Sequence, residues 1–122
     1  MIKTSASFPV LALLLSCVPA WADPAMVVGV KTGLAGMGWR FEVTISHPDS
    51  GWDHFADGWE IQDSQGTRLG FRELQHPHVD EQPFTPSLSN VMIPDGTKEV
   101  YIRTRCSRDG WSNSLTSVSL TR

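Results

Sequence analysis

From Trp39 to Ser46 the chain alternates without a break. Trp39, Phe41, Val43 and Ile45 fall on one side, and Arg40, Glu42, Thr44 and Ser46 on the other. Successive side chains of a β-strand point to opposite faces, so this pattern predicts a strand with one face in a core and one in water. The same period returns at Val100, Ile102, Thr104 and Cys106, set against Glu99, Tyr101, Arg103 and Arg105. Trp59 and Ile61 share a face, and Glu60 and Gln62 take the opposite one. Thr67 to Leu74 reads as a returning strand with Leu69 and Phe71 together. Leu74 is out of phase, which signals a bulge or a strand end. Met26 to Val30 is apolar and β-favouring, Leu88 to Ile93 is a short strand, and Thr116, Val118 and Leu120 mark the last. Helical periodicity of useful length is absent.

Glycine, proline and aspartate punctuate these runs. Gly33, Gly36 and Gly38 predict a hairpin or turn across Lys31 to Gly38. Ser64-Gln65-Gly66 and Pro94-Asp95-Gly96 read as turns, and Ser107 to Ser114 as a polar loop around Asp109-Gly110-Trp111. Between Gln75 and Pro86, three prolines exclude a helix or a central strand and predict an extended edge segment. About seven short strands separated by turns in about 100 residues is the pattern of an all-β sandwich. Its predicted core is Trp39, Phe41, Val43, Ile45, Trp59, Ile61, Val100 and Ile102. The aromatic-led Trp59-Glu60-Ile61, and Ile93-Pro94-Asp95-Gly96-Thr97 ahead of Val100-Tyr101-Ile102-Arg103, resemble a fibronectin type III or related immunoglobulin-like domain.

The first 22 residues read as an export leader rather than as part of that domain. Lys3 precedes an apolar core from Phe8 to Val18, Pro19 breaks it, and Ala20-Trp21-Ala22 is a small-x-small cleavage pattern. The core is too short to span a bilayer permanently. The expected domains are therefore a signal peptide, 1–22, and a β-sandwich, 23–122, placed in the periplasm or outside the cell. Leu14-Leu15-Ser16-Cys17 offers an alternative, a lipid anchor at Cys17, although Leu15 fits that box poorly. No later segment is apolar enough to cross a membrane as a helix. With 13 acidic against 10 basic residues and no basic run, nucleic acid is a poor partner. Cys106 would be the single thiol of the exported chain, hence buried, metal-bound or paired between chains.

The residues with chemical potential sit between the strands. His47 and His54 flank a loop, His47-Pro48-Asp49-Ser50-Gly51-Trp52-Asp53-His54, and could face one another. They could equally be surface histidines beside a turn, with Trp52 and Phe55 tucked against the sandwich end. His76, His78 and Asp80 recur every second residue, so an extended backbone would present two imidazoles and a carboxylate on one face, a set that suits a metal. A polar edge that blocks sheet-to-sheet aggregation explains the same residues without one. Cys106 starts on the core face, where a thiol behaves as a small hydrophobe, yet at a strand end it could reach a site. Nitrogen and sulfur donors together indicate a single iron, copper or zinc ion rather than calcium or magnesium.

His47-Pro48, His54-Phe55 and Cys106-Ser107-Arg108-Asp109-Gly110-Trp111 resemble the landmarks of superoxide reductases. That family has an immunoglobulin-like sandwich and holds iron with four histidines and a cysteine. The resemblance implies His47, His54 and Cys106 as ligands. It departs at two points: Asp109 stands where the family has its last histidine, and no histidine lies between Asp23 and Ser46 to supply the first. His76-Pro77-His78-Val79-Asp80-Glu81-Gln82-Pro83-Phe84 also resembles a segment of small exported bacterial proteins without an assigned function. Two readings follow. One is an exported binding or adaptor module of the bacterial envelope that recognises a protein or glycan through its loops. The other is a mononuclear metal protein drawing on His47, His54, His76, His78, Asp80 and Cys106. They part on whether these loops converge.

Overall fold

A computed structural model describes residues 23–121. The leader, its cleavage pattern and Cys17 lie outside the described residues. Eight strands follow in order: β1 (Met26–Ala35), β2 (Gly38–Ser46), β3 (Ala56–Gln62), β4 (Arg68–Glu73), β5 (Ser87–Val91), β6 (Glu99–Cys106), β7 (Gly110–Trp111) and β8 (Thr116–Ser119). No helix occurs among the described residues. The strands form two sheets, one ordered β1-β2-β5 and the other β4-β3-β6-β7, with β8 also pairing with β6. All these pairings are antiparallel.

Period-two alternation builds the core as the sequence predicts. Trp39, Phe41, Val43 and Ile45 of β2 are fully enclosed or nearly so, as are Trp59 and Ile61 of β3 and Val100 and Ile102 of β6. Val91, Leu74, Phe84 and Val118 join them. Each large aliphatic or aromatic side chain enclosed this way stabilises the fold by about 1.5–3 kcal/mol relative to exposure.

Several local expectations are corrected. Of the two readings of Lys31 to Gly38, the hairpin holds and the loose turn does not: β1 runs to Ala35, with Gly33 opposite Arg40, and the chain reverses at Gly36-Met37. Gly36 takes a φ of 64°, where a residue with a Cβ is strained. Leu69 and Phe71 do not share a face. Ile61 pairs with Gly70 but Gln62 with Arg68, so the register slips at Leu69. Leu69 packs on the core, while Phe71 lies on the far face against Trp111. Ser107–Ser114 is not all loop, because β7 adds Gly110 and Trp111 to the edge of β6.

Glu60 and Gln62 lie on the face opposite Trp59 and Ile61, and they too are buried. The outer face of the second sheet is roofed by arginines and aromatics. Arg68 and Arg103 each bond the Glu60 carboxylate at 2.8 Å, and Gln62 Nε2 donates to it at 2.7 Å. Arg103 and Arg105 stack over Trp111, and Arg68 and Arg105 over Phe71. Burial by itself would push the Glu60 carboxyl up. The hydrogen bonds from Arg68, Arg103 and Gln62 together outweigh it and hold that carboxyl below its ordinary range.

Candidate metal centre

The two strands with the clearest alternation also deliver two of the site's side chains. His47 follows β2 directly and keeps the inward phase of Val43 and Ile45. Cys106 ends β6 in the inward phase of Ile102 and Thr104. Each is therefore carried into the interior, and both are about 2% exposed. His54 comes from the loop between β2 and β3, two residues before buried Ala56, which pairs with Cys106 across the sheet.

That loop folds back on itself. Ser50 N donates to His54 O, and His54 N to Gly51 O. Trp52 projects from its tip and is 70% exposed, so it is not tucked against the sandwich as the sequence suggested, although it keeps an edge contact with Phe55. Ser107 joins the two loops: its N–H donates to Phe55 O at 2.9 Å, and its Oγ accepts from Phe55 N at 3.0 Å.

The result is a cluster. One donor atom from each of His47, His54 and Cys106 lies within 4.8 Å of the others, and all three residues are buried. The imidazoles meet edge to face, 4.8 Å between centroids and 81° apart. Nδ1 of His47 is 2.5 Å from Asp49 Oδ1, with both side chains fully enclosed. A carboxylate only accepts, so Nδ1 carries the proton and Nε2 the lone pair. That Nε2 is buried and has no hydrogen-bond partner, and the same is true of His54 Nε2. Two enclosed imidazole nitrogens without partners are costly in an apolar interior. Beside a thiol they form a nitrogen–sulfur donor set suited to iron, copper or zinc. Donors about one tetrahedral ion, bound at about 2.0–2.3 Å, sit roughly 3.3–3.7 Å apart. An ion would therefore draw donors now up to 4.8 Å apart together by about 1 Å.

The surroundings hold the cluster in place. Asp49 Oδ1 also accepts from Ala56 N at 2.9 Å, and its Oδ2 accepts from His78 N at 2.8 Å. Gln82 Oε1 accepts from His47 N, while its Nε2 donates to His78 O. A carboxylate behind an imidazole fixes the tautomer and orientation that a metal ligand needs. Asp109 lies on the solvent side, its Oδ2 3.8 Å from both Cys106 Sγ and His54 Nε2.

His76, His78 and Asp80 are placed differently. The chain bends at His76 and again from Val79 to Glu81, so the extended His-x-His-x-Asp face does not form. Asp80 is exposed. His76 and His78 do pair, with ring centroids 4.4 Å apart, and His78 stacks flat on Phe84 at 3.8 Å. Burial, with His76 adding to it, pushes the His78 imidazole below its ordinary range. These rings line a cleft of about 490 Å³ with Arg72, Glu81 and Pro86. They are outside the three-residue cluster, to which His78 is tied through its backbone N–H and Asp49.

Asp49, Gln82 and Ser107 escaped the sequence reading. Asp49 in His47-Pro48-Asp49 has the look of a turn residue. Gln82 reaches His47 across 35 residues and Ser107 reaches Phe55 across 52, separations that leave no local signal.

No known family model matches the chain. Over 64 residues it is 44% identical to a protein of Halomicrobium mukohataei described as a "Putative lipoprotein". That match takes in 52% of this chain and 31% of the relative, so the chain aligns with about a third of that protein's length. Among solved structures it is similar to a hypothetical protein from Pyrococcus horikoshii OT3, with a TM-score of 0.51 and 18% identity over 82% of this chain and 93% of that one. At that identity the likeness speaks for the fold alone.

Proposed function

We propose that the protein is an exported, envelope-associated β-sandwich that binds one transition-metal ion through His47, His54 and Cys106. The observation that carries this reading is the convergence of two buried, unpartnered imidazole nitrogens on a buried thiol. The thiolate and imidazoles favour iron, copper or zinc. Export is supported by the Ala20-Trp21-Ala22 pattern and by the description of the Halomicrobium relative. In this reading residues 1–22 are removed and 23–122 form one domain. The division into a β1-β2-β5 sheet and a sheet built on β4-β3-β6 supports an immunoglobulin-like sandwich. A redox role of the superoxide-reductase kind is the finer form of the proposal, supported by the match of His47, His54 and Cys106 to that family's motifs.

The test is to purify the exported chain without an affinity tag and measure bound metal, then titrate the stripped protein with iron(II), copper(I) and zinc. One equivalent of tightly held metal that disappears in His47→Ala and Cys106→Ser is the expected result. Equal, weak binding by wild type and both variants would remove the reading.

One observation favours a second reading, the adaptor for an envelope protein or glycan. Trp111 and Phe71 are half-buried among Arg68, Arg103 and Arg105 on the outer face of the second sheet. Tryptophan and arginine concentrate binding energy in interfaces. Trp111→Ala would then abolish partner recognition while metal content stays at the wild-type level.

A further inference from the structure

We infer that Asp109 is the fourth donor of the centre, and that its carboxylate makes the site select divalent iron or zinc over copper(I). The inference rests on the metal reading of His47, His54 and Cys106. Four features carry it.

The first is position. Asp109 Oδ2 is 3.8 Å from His54 Nε2 and 3.8 Å from Cys106 Sγ. The Cys106 thiol donates to this oxygen, and an oxygen in contact with two of the three donors, at nearly the separation of donors around one small ion, is placed to bind once the thiol proton is lost.

The second is the state of the neighbours. The His54 side chain is about nine-tenths buried, and its Nε2 makes no hydrogen bond, although this carboxylate lies 3.8 Å away. The spacing is too long for a hydrogen bond and wide enough for an ion between the two atoms.

The third is how the backbone delivers Asp109. Cys106 and Gly110 pair across a tight reversal at 107–109, and Gly110 takes a φ of 75° that a residue with a Cβ adopts only with strain. The turn is pinned by Ser107 to Phe55. The carboxylate is thus held three residues after the thiol by the fold. Its other oxygen, Oδ1, faces Arg108 Nε at 3.8 Å, which leaves Oδ2 to the cluster.

The fourth is charge and donor type. Asp109 adds a second anionic donor to the thiolate, beside the enclosed Asp49 carboxylate, so a divalent ion offsets more of the site's negative charge than a monovalent one does. Copper(I) prefers soft thiolate and thioether ligands, while carboxylate suits harder ions, and imidazole with thiolate suits zinc and iron. Two nitrogens, one sulfur and one carboxylate oxygen therefore discriminate by hardness. Asp109 is the partly exposed member, with a side chain 26% accessible, so it lies where an incoming ion first meets the site.

Cobalt(II) separates this inference from the reading beneath it, because its spectrum reports the thiolate and the coordination number independently. Wild type, Asp109→Asn, Asp109→Ala and His47→Ala are each stripped and titrated with cobalt(II), then challenged with zinc and copper(I). Metal-free thermal melts of the two Asp109 variants confirm that they fold. In wild type, a thiolate-to-cobalt charge-transfer band together with intense four-coordinate ligand-field bands is expected. In both Asp109 variants the charge-transfer band should persist while the ligand-field bands weaken. Cobalt and zinc affinity should fall at least about tenfold, the lower end of what disturbing a metal's environment costs, with copper(I) affinity preserved. Wild-type affinity and spectrum in both Asp109 variants would overturn the fourth donor and leave the three-residue centre standing. No charge-transfer band in wild type would overturn the centre itself, and Asp109 with it.

Discussion

Asp49 accepts the Nδ1 proton of His47 at 2.5 Å, with neither side chain exposed to water. The same carboxylate takes the backbone N–H groups of Ala56 and His78. One side chain therefore sets the tautomer of an imidazole, anchors the start of β3 and ties down the segment after Pro77.

Asp49→Ala should consequently fail in two ways at once. Three donors lose a charged acceptor, two in buried and one in partly buried surroundings, which costs about 3 kcal/mol or more. Where the variant still folds, metal affinity should drop about 10- to 100-fold as His47 loses its orientation. Urea melts of the stripped protein and cobalt(II) titration read the two losses separately.

The strand phase of β2 is tested by Val43→Asp. Val43 is fully enclosed, so the substitution buries an unpaired carboxylate and should cost more than about 4 kcal/mol or prevent folding. Wild-type resistance to urea in this variant would mean that Val43 faces water.

Stability should fall in acid, and Glu60 is one cause. Its carboxyl is held below the ordinary range by Arg68, Arg103 and Gln62 against the opposing effect of burial. A depressed carboxyl contributes stability that is present above its unfolded pKa, near about 4.3, and is lost as pH falls through the lower folded value. His78 acts in the same direction: with its folded pKa below the unfolded one, protonation favours the unfolded chain. Melts from pH 7 to pH 2 should show a falling midpoint. The acid end of that fall should be shallower in Glu60→Gln, and the part near pH 6 shallower in His78→Phe.

The two histidine pairs make opposite forecasts. His76→Ala/His78→Ala should leave metal affinity within about threefold of wild type, because neither ring belongs to the cluster. Competition titration with zinc measures this. Affinity in the wild type should fall with pH, because protons compete for imidazole and thiolate. A double variant that loses its metal would relocate the centre to the 490 Å³ cleft.

The core was legible because alternation is a local signal. Trp39 to Ile45 and Val100 to Cys106 name their own faces, and the burial of His47 is the same parity carried one step past the strand. The burial of Glu60 and Gln62 was not legible, because alternation gives a side but not what covers it. Their cover comes from Arg68 on β4 and from Arg103 and Trp111 across β6 and β7. His76 and His78 drew attention through spacing that presumes a straight backbone, and the bends around them remove that premise. Asp109 stood in plain view as a departure from a resembled motif. Its closeness to both His54 and Cys106 depends on the turn that Gly110 closes, which only the folded chain displays.

The bonds that shape the centre run through backbone groups and through Asp49, Gln82 and Ser107, and leave the two imidazole Nε2 atoms out. In the proposed metal reading, loading an ion is then an occupancy event and not a folding event, unlike a zinc finger that collapses around its metal. A chelator should strip the protein without melting it, and the emptied vessel should refill reversibly. Its melting temperature becomes a gauge of free metal: by mass action, an ion at a hundred times its dissociation constant adds about 2.7 kcal/mol. In the exported, metal-binding reading, that is the behaviour of a reservoir in equilibrium with its surroundings.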